Sequence, residues 1–250
     1  MLRQKYRVAV VMPCFKEADG IEEFLREVAT HFMDYNTTLL VVDDHSPDST
    51  LEVIENLTQD LGQITVLPQM RNRGHGPSTL IALKAGLELA PDVIVATDGD
   101  GQISGQDLKR LCDTVLIGRC SYAEGVRTQR KDLWFRRAIS AGTRTLIWVR
   151  TGKIVRDANT PFRAYRPGQL RQLLDHLPSR SIIPNLLVSA LVRRWSWNVQ
   201  EVQIVSLIRR GNSQEGSSWN QKNTIFPSLR LIRFCIGAIK EWSTVNMVKK

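Results

Sequence analysis

Asp98 and Asp100, in the run VATDGDGQ (Val95 to Gln102), set two carboxylates two positions apart directly after a short apolar stretch. A hard divalent cation takes oxygen ligands and keeps positions for waters or phosphates, so two carboxylates converging from one loop can hold Mg2+ or Mn2+. A cation held there can neutralise a diphosphate leaving group. Gly99 and Gly101 would permit the turns that face both side chains the same way. Acidic turns also follow strands for structural reasons alone, so this loop by itself leaves both readings open.

Other polar groups end neighbouring apolar runs. In LLVVDDHSPDST, Asp44 and Ser46 can contact a base or ribose, because carboxylates accept from ring N–H and hydroxyl groups, while Ser46-Pro47-Asp48 also reads as a turn and helix cap. Glu17 in PCFKE either bonds a nucleotide or is a solvated acid at a helix start. RNRGHGPSTLIALKAG carries Gly74 and Gly76, with Pro77 placed for the first helical position. It lacks the third glycine of a dinucleotide fingerprint and reads as a close-packed loop near a ligand.

These groups need a scaffold, and the first half of the chain supplies a pattern for one. YRVAVVMP, TTLLVVDD, QITVLP and DVIVATD are short β-branched runs bounded by Pro, Asp or Gly, which predicts strands. Ile21, Phe24, Leu25, Val28 and Phe32 recur at helical spacing, as do Leu51, Ile54, Leu57 and Leu61, with Asp48 and Ser49 placed to cap the second helix. Alternating strands and helices imply an α/β domain with a mostly parallel sheet covered on both faces. In such sheets ligands bind beyond the carboxyl ends of the strands, which is where the acidic residues fall.

After Tyr122 the alternation fades. AEGVRTQRKDLWFRRAISAGTRTLIWV reads as a loop and a basic helix, DANTPFRAYRP as irregular, SIIPNLLVSALVRRW as a helix and SWNVQEVQIVSL as a strand. A last helix, from Phe226 to Val248, has Leu229, Ile232, Ile236, Ile239 and Trp242 on one stripe with Arg230, Arg233, Lys240, Lys249 and Lys250 beside or beyond it. No internal repeat or low-complexity linker is seen.

The chain has 250 residues and a net charge of +9. Between Arg119 and Arg171 there are thirteen Lys/Arg against three Asp/Glu, so this stretch holds the whole excess. It suggests phosphate, nucleic acid or an anionic membrane as partner, or a solvated arginine-rich helix face. Cys14, Cys112, Cys120 and Cys235 show no metal or redox spacing and sit in apolar stretches, as expected of free thiols in a reducing, cytoplasmic compartment. The apolar run after the basic N-terminus is too short for a secretion signal, and no window is long and apolar enough to span a bilayer.

Taken together, VVMPCFKE, LLVVDDHSPDST, RNRGHGPSTLIALKAG and VIVATDGDGQ resemble family 2 glycosyltransferases of the GT-A fold, and look most like the dolichol/polyprenol-phosphate mannose synthase-like enzymes. EGVR, DANTPFRAYRP and IRRGNSQEGSSW are similar to further elements of that group, so the resemblance runs from about Val8 to Ser218. It implies a catalytic domain over 1–218, with 219–250 an amphipathic basic helix that can lie on a membrane. It also implies that Pro13, Phe15, Glu17, Val42 and Asp44 line a nucleotide pocket, that Asp98, Asp100 and Gln102 hold the metal and diphosphate, that Arg127 reaches phosphates or acceptor, and that Arg209 or Arg210 closes the site. Phe15, Lys16, His45 and Pro161 depart from residues common in the group, as do Gln214, Glu215 and Gly216.

The resemblance implies inverting transfer of a sugar from a GDP- or UDP-linked donor, with Mg2+ or Mn2+. A lipid-phosphate acceptor is already ionised at neutral pH and needs no base. A sugar hydroxyl, as in polysaccharide synthesis, needs one, and Asp157 is the candidate, its other reading being a salt bridge to a flanking arginine. A lipid acceptor requires peripheral contact with the cytoplasmic face of a membrane, or a separate membrane partner. The rival classes are a non-catalytic polyanion-binding module, weakened by acidic strand ends and the lack of nucleic-acid-binding signatures, and a nucleotidyltransferase, whose glycine-rich start is missing.

Overall fold

The computed structural model describes residues 5–118, 120–128, 134–211 and 228–245. Strands β1 (Arg7–Cys14), β2 (Asn36–Asp43), β3 (Ile64–Pro68) and β4 (Val93–Ala96) alternate with helices α1 (Ile21–His31), α2 (Thr50–Leu61) and α3 (His75–Glu88). Then follow α4 (Gly105–Leu116), β5 (Tyr122–Thr128), α5 (Trp134–Thr151), β6 (Arg163–Tyr165), α6 (Pro167–Leu174), α7 (Pro184–Arg194), β7 (Gln200–Val205) and α8 (Leu229–Thr244). The strands form one seven-stranded sheet in the order β3-β2-β1-β4-β6-β5-β7. Only β6 runs antiparallel to its neighbours, so the carboxyl ends of the other six strands share one edge.

The central strands read as apolar runs because both faces are covered. Val8, Val10 and Met12 of β1 pack with Phe24, Leu25 and Val28 of α1 and Leu108 and Leu111 of α4. Ala9 and Val11 face the opposite layer, with Leu80 and Leu83 of α3 and Leu187 and Leu191 of α7. Cys14, Cys112 and Cys120 are buried free thiols, and burial pushes the Cys112 thiol above the range in which it would ionise.

Several local expectations need correction. The stretch read as a loop at AEGVR is strand β5, and the irregular DANTPFRAYRP contains β6. Their signal was hidden because Glu124 and Arg163 are buried charges, which break an apolar pattern while pairing inside the fold. Ser49 makes no side-chain cap to α2. Asp48 serves instead, accepting from the Thr50 backbone N–H at 3.3 Å and hydroxyl at 2.6 Å. Pro77 lies at the third position of α3, whose N-cap is Gly74. The expected helix from Phe226 to Val248 is described as α8, and the expected boundary between residues 218 and 219 lies outside the described residues.

The buried charges fasten the second half of the sheet. Arg163 donates to the Tyr122 hydroxyl (2.7 Å), the Ser189 hydroxyl (2.8 Å) and the carbonyls of Thr160 (2.9 Å) and Asn185 (2.8 Å). The Tyr122 hydroxyl donates to Glu124 at 2.7 Å, and Arg193 of α7 grips the same carboxylate with both terminal guanidinium nitrogens, Nη1 and Nη2. A buried carboxylate left without its cation is costly, typically by about 3–5 kcal/mol. Arg193→Ala should therefore lower the unfolding free energy by about 3 kcal/mol in urea denaturation. Glu201→Gln, at the more exposed end of the network, should cost less than about 1 kcal/mol. Equal effects from the two substitutions would contradict a network centred on Glu124.

Candidate functional site

The chain leaves β1 toward β2 on one side and adds β4 on the other, so a crevice opens between the carboxyl ends of β1 and β4. The acidic loop after β4 sits in it. Thr97 N–H donates to the Val11 carbonyl and Gly99 N–H to the Pro13 carbonyl, both at 3.1 Å, which extends β4 across the end of β1. The two glycines serve different ends. A Cβ on Gly99 would lie 2.9 Å from that of Cys14, so close approach demands glycine there, while Gly101 has φ +64°, a conformation that side chains rarely adopt.

Negative charge concentrates at this point. Burial, and after it the neighbouring Asp98 charge, lift the Asp100 carboxyl from its ordinary 3.8 to about 6 against the Gln102 backbone N–H that donates to it. Burial likewise pushes Glu17 up to about 8, with Asp100 and Asp98 adding to the rise and Arg209 opposing it. Arg209 spans Glu17 with two bonds, Nε to Oε2 at 3.1 Å and Nη2 to Oε1. His75, at the start of α3, places Nε2 3.6 Å from Asp98 Oδ1. It was not singled out from the sequence, although an imidazole flanked by two glycines beside an acidic strand end was a visible sign.

The remaining expected residues occupy varied positions on the same edge. Pro13 is buried in β1, Phe15 and Gln102 are half-buried on the crevice loops, and Val42 is wholly buried in the apolar layer beneath them. Asp44 turns its carboxylate to the α3 loop, accepting from Arg73 N–H at 2.8 Å and Gly74 N–H at 2.9 Å. It therefore shapes the loop that carries His75.

Arg127 and Asp157 find each other. The guanidinium spans the carboxylate, Nε to Oδ2 at 2.6 Å and Nη2 to Oδ1 at 2.9 Å, and also donates to the Asn159 carbonyl at 3.2 Å. The ion pair expected for Asp157 thus forms with an arginine from β5 rather than with one flanking it in sequence. Arg210 goes elsewhere. It bonds Glu23 and Glu27 of α1 and lies over the Phe24 ring at 5.5 Å. Its backbone N–H donates to the Asp100 carbonyl at 3.2 Å, and Leu207 N–H donates to the Gln102 carbonyl at 3.0 Å. The segment after β7 is in this way strapped over the acidic loop. Gln214, Glu215 and Gly216 lie outside the described residues.

A sequence model of the family described as Glycosyl transferase family 2 matches residues 9–174, every element from β1 to α6. The chain belongs to this family. An undecaprenyl-phosphate 4-deoxy-4-formamido-L-arabinose transferase of Edwardsiella ictaluri is 30% identical over 190 residues, 75% of this chain and 57% of that protein. The chain thus spans little more than half the length of the curated relatives it matches. Among solved structures, glucosyl-3-phosphoglycerate synthase from Mycobacterium tuberculosis, in complex with Mn2+ and UDP-glucose, superposes with a TM-score of 0.60 at 17% identity, covering 84% of this chain and 73% of that one. A mannosyltransferase from Pyrobaculum calidifontis with GDP-Man and Mn2+ gives a TM-score of 0.56 at 18% identity over 86% of this chain and 59% of its own. The fold of this family 2 glycosyltransferase is accordingly GT-A.

The donor set in the crevice fits a hard divalent cation. Two carboxylates crowd each other beside a third, all oxygen donors, and burial, with the Asp98 charge behind it, holds the Asp100 carboxyl high against the opposing pull of Arg209 and His75. Among the described residues, no group of three or more His, Cys, Asp or Glu converges on one point. A cation on Asp98 and Asp100 would therefore take further oxygens from water or ligand, as Mg2+ and Mn2+ commonly do.

A folded-state carboxyl that titrates at about 6 rather than 3.8 holds its proton where the unfolded chain has lost it. At this site the metal-free protein should gain stability as pH falls from 7.5 to about 5. The rise in melting temperature produced by Mn2+ should shrink over the same range, since protons and metal compete for one carboxylate. Asp100→Asn should melt at or above wild type without metal and show no Mn2+ shift. A Mn2+ shift equal at both pH values, or retained in Asp100→Asn, would remove Asp100 from the cation site.

Proposed function

We propose that this chain carries the catalytic unit of an inverting, metal-dependent glycosyltransferase that moves a sugar from a GDP- or UDP-linked donor to a polyprenyl phosphate. The observation that carries this reading is the part-buried, mutually repelling acidic loop at the carboxyl-end crevice, a place suited to a cation and the diphosphate it accompanies. Support for the acceptor comes from the relative that shares 30% identity and is named for undecaprenyl phosphate. Support for the donor comes from neighbours holding UDP-glucose or GDP-Man with Mn2+.

In the proposed reaction an acceptor phosphate oxygen attacks the anomeric carbon as the bond from that carbon to the donor diphosphate breaks. The nucleoside diphosphate leaves with the electron pair, and the configuration inverts. Mg2+ or Mn2+, when bound, would supply positive charge to the departing diphosphate, and Asp98 and Asp100 would be its holders. Pro13, Phe15, Glu17, Val42, Asp44 and Gln102 form or support the nucleotide side of the crevice, and Arg209, which spans Glu17, is the cation that would turn to meet donor phosphates.

The acceptor class decides whether a base is needed. A phosphate acceptor needs none, which agrees with an Asp157 whose two oxygens are taken by Arg127. On this reading Asp157 positions Arg127 toward the acceptor phosphate and does not remove a proton. A sugar-hydroxyl acceptor would require the pair to separate.

The test is a thermal-shift panel of UDP, GDP, dTDP and CDP with and without Mn2+, followed by transfer from the matching radiolabelled sugar nucleotides to a short-chain polyprenyl phosphate. A ligand at 100 times its Kd that binds only the folded state adds about 2.7 kcal/mol, so one nucleotide should stand out, and only with metal. Asp157→Asn should keep measurable transfer with a flat pH dependence above pH 7, whereas Arg127→Ala should lose about 100-fold or more. Transfer to a sugar hydroxyl but not to the lipid phosphate would replace the acceptor class. No nucleotide binding at all would overturn the proposal.

A further inference from the structure

Two consecutive arginines on the strap after β7 face different acids. Arg209 spans Glu17 at the crevice, whereas Arg210 turns to α1, where its Nη1 lies 3.0 Å from Glu23 and its Nη2 bonds Glu27. Glu23 and Glu27 stand one turn apart on that helix, a spacing at which like charges repel. The planar fork of a guanidinium can bridge both. Little of Arg210 meets solvent, since its side chain is 14% exposed and its guanidinium lies over the Phe24 ring.

Glu27 has a second partner. It accepts from the N–H of Gly105, the first residue of α4, at 2.7 Å. One carboxylate thus joins the strap to the far end of the acidic loop, while the N–H groups of Arg210 and Leu207 hold the Asp100 and Gln102 carbonyls within that loop. Gly20, the N-cap of α1, completes the seat. A Cβ there would lie 2.7 Å from the Arg210 Cβ and 2.8 Å from its carbonyl carbon and oxygen. The φ of Gly20 is −130°, which any residue can adopt, so what excludes a side chain is the strap itself.

We infer that Arg210 is a positioning residue for donor binding: clamped by Glu23, Glu27 and the gap at Gly20, it fixes the strap to the acidic loop and so delivers the Arg209 guanidinium to the donor diphosphate. The inference rests on the donor reading proposed above. It divides between two residues a role that the resemblance left to either, since Arg209 meets the ligand and Arg210 acts through it. Without the anchor, Arg209 would have to be ordered from a loose segment each time a donor entered, and that ordering would come off the affinity. The loss would fall on the diphosphate and spare the nucleoside, which lies on the side of Pro13, Phe15 and Asp44.

Calorimetric titration of UDP and GDP with Mn2+ present, and of UMP and GMP as monophosphate references, tests this. Arg209→Ala should weaken the diphosphate that wild type binds by about tenfold or more, as loss of one charge-assisted contact does, and its monophosphate far less. Arg210→Ala should reproduce that pattern although its side chain faces α1. The double variant should bind no more weakly than Arg209→Ala, because the second substitution has nothing left to position. Gly20→Ala, which displaces the strap and keeps every charge, should resemble Arg210→Ala and takes its place if that variant does not fold. Arg26→Ala removes an exposed α1 cation bonded to Glu22 and Asp60 and should bind as wild type. Hydrogen exchange supplies a readout without nucleotide: the Leu207 N–H should lose protection about tenfold in Arg210→Ala and keep it in Arg209→Ala.

The anchor is overturned if Arg210→Ala weakens monophosphate and diphosphate equally, if the two arginine substitutions add, or if Leu207 exchanges alike in all three proteins. Diphosphate binding by wild type that Arg210→Ala and Gly20→Ala leave unchanged also removes the anchor, and the donor reading then stands. Wild type that binds neither UDP nor GDP removes the donor reading and the role of Arg210 with it.

Discussion

Electrostatic repulsion within the crevice between β1 and β4 is the constraint around which the rest of this structure is arranged. Glu17, Asp98 and Asp100 are brought together by strand ends, and burial denies Glu17 and Asp100 much of the water that would screen them, while Asp98 stays part-exposed. A fold selected only for stability would not place them so. Arg209, on the strap that follows β7, supplies partial compensation from the far end of the sheet, and the His75 imidazole stands near Asp98. The site is therefore assembled from both edges of a seven-stranded sheet. Its local cost is carried by apolar layers on both faces and by a second, internally neutralised charge cluster around Arg163, Glu124 and Arg193.

These two clusters show opposite solutions to buried charge. Around Glu124 each ionic group has its partners, two arginine nitrogens and a tyrosine hydroxyl, and the cluster locks β5, β6 and α7 into one register. Around Asp100 the compensation is incomplete. A fully paired cluster has nothing to offer a ligand, whereas an under-compensated one gains free energy when a cation enters. The difference separates scaffold from site among residues that composition treats alike.

The first four strands and the acidic loop were legible in the sequence because both follow local rules. Strands buried on two faces give unbroken apolar runs, and two carboxylates in VATDGDGQ announce themselves by spacing. β5 and β6 were not legible because their stability comes from Arg193, Asn185 and Ser189, which lie 69, 22 and 26 residues away along the chain from the groups they bond. The same holds for Arg127 and Asp157, whose pairing crosses 30 residues. Asp44 was visible as a polar strand end, but its commitment to Arg73 and Gly74 depends on how the α3 loop returns over β2. Spacing reveals what one segment can do, and only the fold reveals which other segment answers it.

The basic stretch from Arg119 to Arg171 divides on the same logic. Arg127 and Arg163 are spent on internal partners, and Arg166 donates to the carbonyls of Val115 and Leu116 at the end of α4. Three of the thirteen cations are thus held by partners within the fold. Among the described residues, those that stay outside are Arg137 and Arg144 on α5, a helix with no acid, and Lys153, Arg156 and Arg171 beyond it. The net charge of the chain therefore overstates how much of its basic stretch is free to meet an anion. A cation beside exposed aliphatic and aromatic side chains, as on α5 with Trp148 and Val149, sits in a different chemistry from one over a polar groove, so net charge by itself does not name a partner.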